Sequence, residues 1–246
     1  EEKVIVDSVE ALLSLDCDAA EIIVVDDGST DRTLEVAQAA FADHPRVRVV
    51  TKDNGGKASA LNLALQLTDA EIVIAIDADT RLDKEAVFWL ARHFEDARVG
   101  AVAGTVDVGN RQHLITQFQE IEYIVSQNLD RRALEMANGI VVVPGALGAW
   151  RRQAVMDVGG YDDDTLAEDA DLTLKLQRAG WRILTEPKAL AVTEAPQTTR
   201  LFLRQRFRWM FGMLQVAWKH SSALKERGAK GVKYIALPNI VLFQFL

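Results

Sequence analysis

Two hydrophobic patterns alternate along most of the chain. Short runs rich in Val and Ile, typical of buried strands, are separated by segments in which apolar residues recur at helical spacing. Strands are predicted at residues 21–27, 46–52, 71–79, 99–108 and 181–187. Helices are predicted at residues 30–42, 55–67, 83–95, 111–136 and 167–179, the last ended by Gly180. This alternation predicts an α/β fold with a mostly parallel sheet flanked by helices.

The segment after residue 197 follows a different pattern. From Thr198 the residues predict a basic, aromatic helix that contains RQRFRWMFG, and the chain ends in the apolar IALPNIVLFQFL. We therefore divide the chain into a domain at 1–197 and a segment at 198–246, with amphipathic interfacial helices and the start of a transmembrane helix. Phe207 and Phe211 fit a helix lying against a membrane, or else the domain core. At its beginning the chain enters directly as a helix, so we expect a first strand to be missing.

Charge is distributed unevenly between these two parts. The formal net charge is -8, yet residues 198–233 carry nine Lys and Arg against Glu226 alone, which leaves -16 on the first 197 residues. Such a basic segment is expected to meet phosphate, nucleic acid or a lipid surface, or else to be a solvated helix face. The single cysteine, Cys17, excludes an intrachain disulfide and fits a reducing compartment.

Acidic side chains end two of the predicted strands. Asp26 and Asp27 close the first strand in VVDDGSTD, and Asp77 and Asp79 follow the third in IDADT. Ligands of open α/β sheets bind beyond the carboxyl ends of the strands, where a carboxylate can accept a hydrogen bond from a nucleotide base. Alternation along an extended chain would send Asp77 and Asp79 to one side, where they could hold Mg²⁺ or Mn²⁺. The alternative for both motifs is a plain turn after a strand.

Two further segments carry candidate chemistry. Gly55 and Gly56 let the backbone approach a ligand, and Lys57 in the first helical turn can meet a phosphate. The spacing matches neither a Walker loop nor the dinucleotide-binding glycine motif. In LAEDADLTLK, the acids are either caps that complement the helix dipole or, for Asp169, a general base. The four histidines show no metal-ligand spacing.

In their order along the chain, these motifs resemble those of the processive family 2 glycosyltransferases. Those enzymes are the inverting, membrane-embedded synthases of cellulose, chitin, hyaluronan and poly-N-acetylglucosamine, and they carry a D, DxD, (T/E)ED, QxxRW series. Here the series reads Asp27, Asp77-Ala78-Asp79, Glu168-Asp169 and Gln205-Arg206-Phe207-Arg208-Trp209. The resemblance covers essentially the whole chain. It implies the GT-A fold, a Rossmann-like sheet with a nucleotide-sugar half and an acceptor half.

The resemblance also implies a role for each motif residue. Asp27 would bind the uracil, Asp79 would be the direct metal ligand beside Asp77, and Asp169 would be the catalytic base. The nucleotide sugar is expected to contact Asp26, Asp27, Lys57, Asp77, Asp79, Gln205 and Arg208. The acceptor is expected to contact Gly145, Ala146, Leu147, Glu168 and Trp209. Trp150, in the same glycine-rich segment PGALGAWRR, is either a second sugar platform or a core residue.

Partners and location follow from the same resemblance. A UDP-sugar would be the donor, with N-acetylglucosamine the best guess because VVVPGALGAWRR and AEDADLTLKLQRAGW look closest to chitin-like and poly-N-acetylglucosamine synthases. The growing polysaccharide and membrane lipids would be partners, without nucleic acid, and the catalytic domain would face the cytoplasm at the inner or cell membrane. The alternatives are a single-addition transferase acting on a lipid carrier, which usually lacks QxxRW, and a non-catalytic nucleotide- or glycan-binding subunit.

Overall fold

Strands and helices are interspersed from the first helix to residue 193. A computed structural model describes residues 1–17, 19–125 and 130–243. The strands are β1 (Ile22–Asp26), β2 (Val47–Thr51), β3 (Ile72–Ala75), β4 (Arg81–Leu82), β5 (Val99–Val108), β6 (Gly148–Arg151) and β7 (Arg182–Thr193). The helices are α1 (Ile5–Leu13), α2 (Thr33–Phe41), α3 (Gly56–Leu67), α4 (Ala86–Ala91), α5 (Leu114–Ile124), α6 (Arg131–Glu135), α7 (Arg152–Asp157), α8 (Glu168–Arg178), α9 (Thr199–Lys219) and α10 (Leu237–Phe243).

The strands form two sheets in the described part of the chain. β1 and β2 pair in parallel, and the other five strands lie in the order β3-β6-β5-β7-β4. β5 and β7 are parallel, whereas β6 is antiparallel to both of its neighbours and β4 is antiparallel to β7. The α/β class is therefore confirmed, but the pairing is more mixed than the predicted mostly parallel sheet. The extra antiparallel strands come from segments that the residue pattern did not predict as strands.

Several element boundaries also differ from the prediction. β3 ends at Ala75, four residues before the predicted end, and β7 continues to Thr193 because its second half pairs with β5 and β4. The predicted helix at 111–136 corresponds to α5 and α6, and the residues 126–129 between them lie outside the described part. Gly180 ends α8 as predicted, with a φ of 95° that a residue with a side chain rarely adopts.

β5 divides the core into two layers. Ala101 and Ala103 pack in the cluster beneath α3, α7 and α8, while Val102 and Val106 pack against α4 on the other face. This split follows the two-residue alternation of a strand. Both faces of β5 are covered, since its first eight residues are all buried. Trp150 is 1% exposed within the first layer. Of the two alternatives, core packing is therefore correct for Trp150.

The C-terminal helices extend the core, except for the first half of α9. Met213 and Val216 of α9 pack with Leu174 of α8 and Ile240 of α10. The first half of α9 is more open, with Phe207 70% exposed. Among the described residues, no helix is both long and apolar enough to cross a membrane. The start of a transmembrane segment in IALPNIVLFQFL thus stays a prediction.

Candidate nucleotide-sugar site

The end of β1 is tied to the beginning of α3 through Asp27. Its carboxylate accepts hydrogen bonds from the backbone N–H groups of Gly55 (3.0 Å) and Gly56 (2.7 Å) and from Lys52 Nζ (2.7 Å). Burial would raise the pKa of Asp27, but these three donors outweigh it and lower the pKa. Asp27 is therefore ionised, and the glycine pair lies against it; the approach of these glycines to a ligand stays a prediction. Lys52 was missed because nothing in the residue pattern connects it to Asp27.

Asp26 lies deeper than Asp27 and is only 6% exposed. One carboxylate oxygen, Oδ2, accepts from Thr51 Oγ1 at 3.0 Å and from Ser29 N at 3.4 Å. The other, Oδ1, has no hydrogen-bond partner among the described residues. Buried carboxylate oxygens are normally paired. Asp26 therefore keeps an unused acceptor beside the predicted base-binding position.

The Asp77 and Asp79 pair lies in a turn after β3. The N–H of Thr80 donates to the Asp77 carbonyl at 3.0 Å, so the extended alternation that we expected for the two aspartates is wrong. The two carboxylates are nevertheless close enough to interact. Burial raises the pKa of Asp79, and the negative charge of Asp77 raises it further. Ser8 Oγ, on α1, donates to the Ala78 carbonyl at 2.5 Å and fixes the turn from outside. No local signal marked Ser8 as part of this site.

Three predicted motifs meet at Lys57. Its Nζ lies 2.5 Å from Asp77 Oδ1 and 3.6 Å from Glu168 Oε1. Gly145 N donates to Asp169 Oδ2 at 3.2 Å, and a Cβ at Gly145 would lie 2.7 Å from Lys57 Nζ. Burial would lower the pKa of Lys57, but the charges of these acids outweigh it and raise the pKa. The ammonium group therefore stays charged beside the two acidic motifs.

Asp169 combines a partly buried position with neighbours of both signs. Its burial, followed by the charge of Glu168, raises the pKa to about 6. Lys57 and the N–H groups of Ala170 (2.8 Å) and Gly145 oppose that rise. Asp169 binds backbone N–H groups at the beginning of α8, as a cap would, yet its pKa lies near the range that suits a general base. Both alternatives for this residue are thus compatible with its contacts.

A second group of acids in this region holds a lysine. Asp162, Asp164 and Asp171 lie close enough together to share a cation. Lys219 Nζ contacts all three, at 2.6, 2.6 and 3.0 Å. The ammonium group of Lys219 thus supplies the positive charge that a metal would bring. The pair Asp77 and Asp79 fits a divalent cation better. The two carboxylates repel each other, and among the described residues Lys57 pairs with Asp77 but no ammonium group pairs with Asp79.

The QxxRW motif lies on the first half of α9. Trp209 is 6.5 Å from the ring of Tyr123 on α5, measured between centroids, and the charges of Asp77 and Asp79 act on Tyr123. Gln205 is half-buried, and its Oε1 has no hydrogen-bond partner among the described residues. Arg208 is exposed. The structure therefore brings Trp209 toward the acidic motifs through Tyr123, while Gln205 and Arg208 make no described contact with Lys57 or Asp169.

The predicted acceptor segment divides into exposed and buried parts. Gly145 contacts Asp169 and Ala146 is half-buried, so both lie at the edge of the site. Leu147 is fully buried and packs in the α4 layer, where a Cβ at Gly104 would lie 2.4 Å from its Cδ2. Its side chain therefore belongs to the core, and contact of this position with an acceptor stays a prediction that only its backbone could fulfil. Leu147 therefore anchors in the core the segment that carries Gly145 and Ala146.

The fold and this site define a glycosyltransferase of the GT-A class. The chain belongs to glycosyltransferase family 2, since the family described as "Glycosyltransferase like family 2" matches residues 1–212. It is 32% identical over 213 residues to the poly-beta-1,6-N-acetyl-D-glucosamine synthase of Staphylococcus aureus strain COL, and equally to that of Staphylococcus epidermidis. Each match covers 86% of this chain and 52% of the relative, so the chain spans about half the length of these relatives.

Two solved structures share the fold. The mannosyltransferase PcManGT from Pyrobaculum calidifontis, in complex with GDP-Man and Mn²⁺, superposes with a TM-score of 0.80 at 25% identity, covering 99% of this chain and 68% of that one. TarS 1–349 of S. aureus, in complex with UDP-GlcNAc, gives a TM-score of 0.68 at 18% identity, covering 98% of this chain and 68% of that one. The predicted GT-A fold is thus confirmed.

Proposed function

We propose that the chain is the catalytic part of an inverting, processive synthase. It would transfer N-acetylglucosamine from a UDP-sugar to the hydroxyl group of a growing β-linked polysaccharide. The observation that carries the proposal is the meeting of Lys57, Asp77 and Asp169, three groups from distant motifs, at one place. The similarity to poly-beta-1,6-N-acetyl-D-glucosamine synthases supports the choice of sugar.

The donor would lie between the ends of β1 and β3. Asp26 and Asp27 would hold the uracil, and the charged Lys57 would contact the diphosphate. The oxygen donors and mutual repulsion of Asp77 and Asp79 fit Mg²⁺ or Mn²⁺, with Asp79 as the direct ligand. When bound, such a cation supplies positive charge to the diphosphate. PcManGT with GDP-Man and Mn²⁺ supports a divalent cation at this kind of site.

Asp169 would act on the acceptor hydroxyl group. Its carboxylate takes the hydroxyl proton while the acceptor oxygen forms a bond to the anomeric carbon from the side opposite the phosphate. The bond between that carbon and the phosphate oxygen breaks, and UDP leaves with the electron pair. Lys57, Gln205 and Arg208 would stabilise the charge on UDP. The proton then passes from Asp169 to water, and the new linkage has the inverted configuration.

The acceptor would lie against the other wall of the site. Gly145, Ala146 and Glu168 border Asp169, and the Trp209 indole would stack against a sugar ring. An indole offers a flat apolar surface while the sugar hydroxyls stay hydrogen-bonded at its rim. Repeated addition with the product held on this platform would give a polymer rather than a single transfer.

Lipid contact at the cytoplasmic face is part of the proposal. Exposed apolar residues recur at helical spacing on one side of α9, including Leu203, Phe207, Phe211, Leu214 and Trp218. A second exposed row lies on α5 at Leu114, Phe118 and Ile121 and continues to Val125, the residue after the helix. Basic residues such as Arg200 and Arg204 adjoin the α9 row. A helix with apolar and basic rows of this kind binds at a membrane interface.

The test is UDP release by the purified protein across a panel of UDP-sugars with Mg²⁺ or Mn²⁺, with the carbohydrate product analysed in parallel. We expect release with UDP-N-acetylglucosamine and a β-linked polymer. Asp169→Asn should abolish turnover but keep UDP binding, whereas Asp163→Asn, at an exposed acid, should match the parent protein. Turnover by Asp169→Asn at the parent rate would refute the base assignment. A single added sugar would favour the lipid-carrier alternative, and no release from folded protein would favour a non-catalytic subunit.

A further inference from the structure

Arg206, inside the QxxRW motif, is held between two aromatic rings. Its guanidinium carbon Cζ lies 4.7 Å from the centroid of the Trp209 ring and 4.9 Å from that of Phe202. Its Nη1 donates to Glu122 Oε1, on α5, at 2.5 Å. The rings, the arginine and the glutamate therefore join α9 to α5 at the predicted sugar platform.

The environment of Arg206 differs from that of the other arginines on α9. Arg204 and Arg208 are exposed, whereas only 18% of the Arg206 side chain is. Its Nε and Nη2 are buried and have no hydrogen-bond partner among the described residues. Leaving buried N–H groups unpaired costs free energy, and the cation–π contacts and Glu122 act against that cost. An exposed arginine would avoid that cost. The buried position instead places the guanidinium group against the Trp209 ring and holds that ring in place.

We propose that Arg206 is a positioning residue for the acceptor: held by Glu122, it covers one face of the Trp209 indole and leaves the other for the sugar. This inference rests on the proposed function, in which Trp209 is the acceptor platform. A side chain fixed before binding loses less entropy when the sugar arrives. Tyr123, next to Glu122, lies 6.5 Å from Trp209 at a tilt of 32° and adds a second aromatic wall.

The test separates acceptor binding from donor binding. Affinities for a β-linked N-acetylglucosamine pentasaccharide and for UDP are measured by calorimetry in the purified protein and in Arg206→Met and Arg206→Lys. We expect Arg206→Met to weaken pentasaccharide binding by about 3- to 10-fold, the range for one aromatic contact, with UDP affinity unchanged. Arg206→Lys, which keeps the cation over the ring, should recover part of the loss. The acceptor KM should rise in parallel with the dissociation constant.

The matched control is Arg111→Met. Arg111 also pairs with a glutamate of α5, Glu120, at 3.0 Å, but Arg111 lies three residues before that helix begins. The pentasaccharide affinity of Arg111→Met should equal that of the parent protein. If Arg206→Met fails to fold, Glu122→Gln loosens the same arginine and should give a smaller loss in the same direction.

Three outcomes would overturn the proposal. One is unchanged pentasaccharide affinity in folded Arg206→Met, and another is an equal loss of UDP affinity, which would indicate general disruption. The third is a parent protein that releases UDP from its donor but does not bind the pentasaccharide, which would remove the platform and leave the transferase. A parent protein that neither binds UDP nor releases it would instead refute the proposed function itself.

Discussion

Asp169 is partly buried at the first turn of α8, with Glu168 adding a second negative charge and Lys57 partly compensating it. These neighbours raise the pKa of its carboxyl group to about 6, above the value near 4 of an unfolded chain. A base works best when its pKa is close to the working pH, because it is then deprotonated and still basic. The same burial that suits the chemistry makes the ionised carboxylate unfavourable for folding.

This conflict predicts how the stability of Asp169→Asn depends on pH. Because the folded state binds the proton more tightly, the contribution of Asp169 to stability is fully present below pH 4 and is lost as the pH rises through 6. Asparagine carries no charge to bury. Above pH 7 we therefore expect Asp169→Asn to be more stable than the parent protein by about 1–3 kcal/mol. Urea unfolding across this pH range measures the difference.

The two proteins should have nearly equal stability at pH 4. Asp163→Asn, at an exposed acid, should show no such pH dependence. If Asp169→Asn is less stable than the parent protein at pH 8, the hydrogen bonds from Gly145 and Ala170 outweigh the cost of burying the charge.

At the scale of elements, α8 carries Asp169 and α9 carries the QxxRW motif, so the contact between them sets the geometry of the site. One side of α9 makes this contact. A Cβ at Gly212 would lie 2.9 Å from Ala167 Cβ, and Leu166 N donates to Gln215 Oε1 at 3.0 Å. One turn further, Lys219 reaches Asp171 on α8.

His220 extends the same contact. Its Nδ1 lies 3.0 Å from Arg178 Nη1 and its Nε2 lies 2.8 Å from Asp171 Oδ1. Arginine can only donate, so Nδ1 must accept and Nε2 carries the proton that is donated to Asp171. Asp171 and His220 are both buried. A neutral imidazole of one defined tautomer therefore joins the two helices beside Lys219.

Removing the Lys219 ammonium group tests the importance of this contact. Burial would lower the pKa of Lys219, but its three carboxylate partners outweigh it and raise the pKa, so its contribution is complete at neutral pH. The pKa of Asp162 is lowered by Lys219 and Lys175 against the effect of burial, so this contribution is lost as the pH falls below about 4. Lys219→Met should destabilise the protein by about 2–4 kcal/mol at pH 7 and much less at pH 3.

The control for Lys219→Met is Lys225→Met, at an exposed lysine, which should change stability by less than about 0.5 kcal/mol. Thermal unfolding of both variants measures the effect. Equal melting temperatures for Lys219→Met and the parent protein at pH 7 would show that the three aspartates do not depend on this lysine.

The same elements show what the residue pattern could and could not predict. Buried strands such as β5 and helices ended by glycine, such as α8, have local signals, and their positions were predicted. β6 reads as a glycine-rich loop, and it becomes a strand because it fills the space between β3 and β5. The pairing of Lys52 with Asp27 and of Arg206 with Glu122 joins residues distant in sequence, for which period and composition give no signal.

At the scale of the whole molecule, charge and exposed apolar surface lie on the same C-terminal segment. Residues 198–233 carry +8 against -16 on the rest of the chain. Phe207 and Trp218 are 70% and 84% exposed there, and Phe207 stacks on Phe211 at 6.0 Å between centroids. A segment with both properties is suited to an anionic lipid surface, which would repel the acidic domain and orient it away from the lipid.

Lipid binding by this segment can be measured by sedimentation of the 246-residue chain with vesicles of phosphatidylglycerol or phosphatidylcholine. We expect binding to phosphatidylglycerol that weakens as salt rises from about 0.1 to about 1 M, because the screening length falls from about 10 to about 3 Å. Replacing Arg200 and Arg204 by Gln should weaken binding by about tenfold at low salt, since each basic residue near an anionic surface contributes about 1 kcal/mol.

Phe207→Ser separates apolar insertion from charge attraction. It should weaken binding at every salt concentration, because the loss of a buried aromatic side chain costs about 1.5–3 kcal/mol and does not depend on ionic strength. Phe88→Ser provides the matched control, since Phe88 is 61% exposed but lies on α4. If Phe88→Ser and Phe207→Ser reduce binding equally, the apolar row of α9 is not the surface that meets lipid. If neither changes it and salt abolishes it, the attraction is electrostatic alone and the aromatic residues serve another contact.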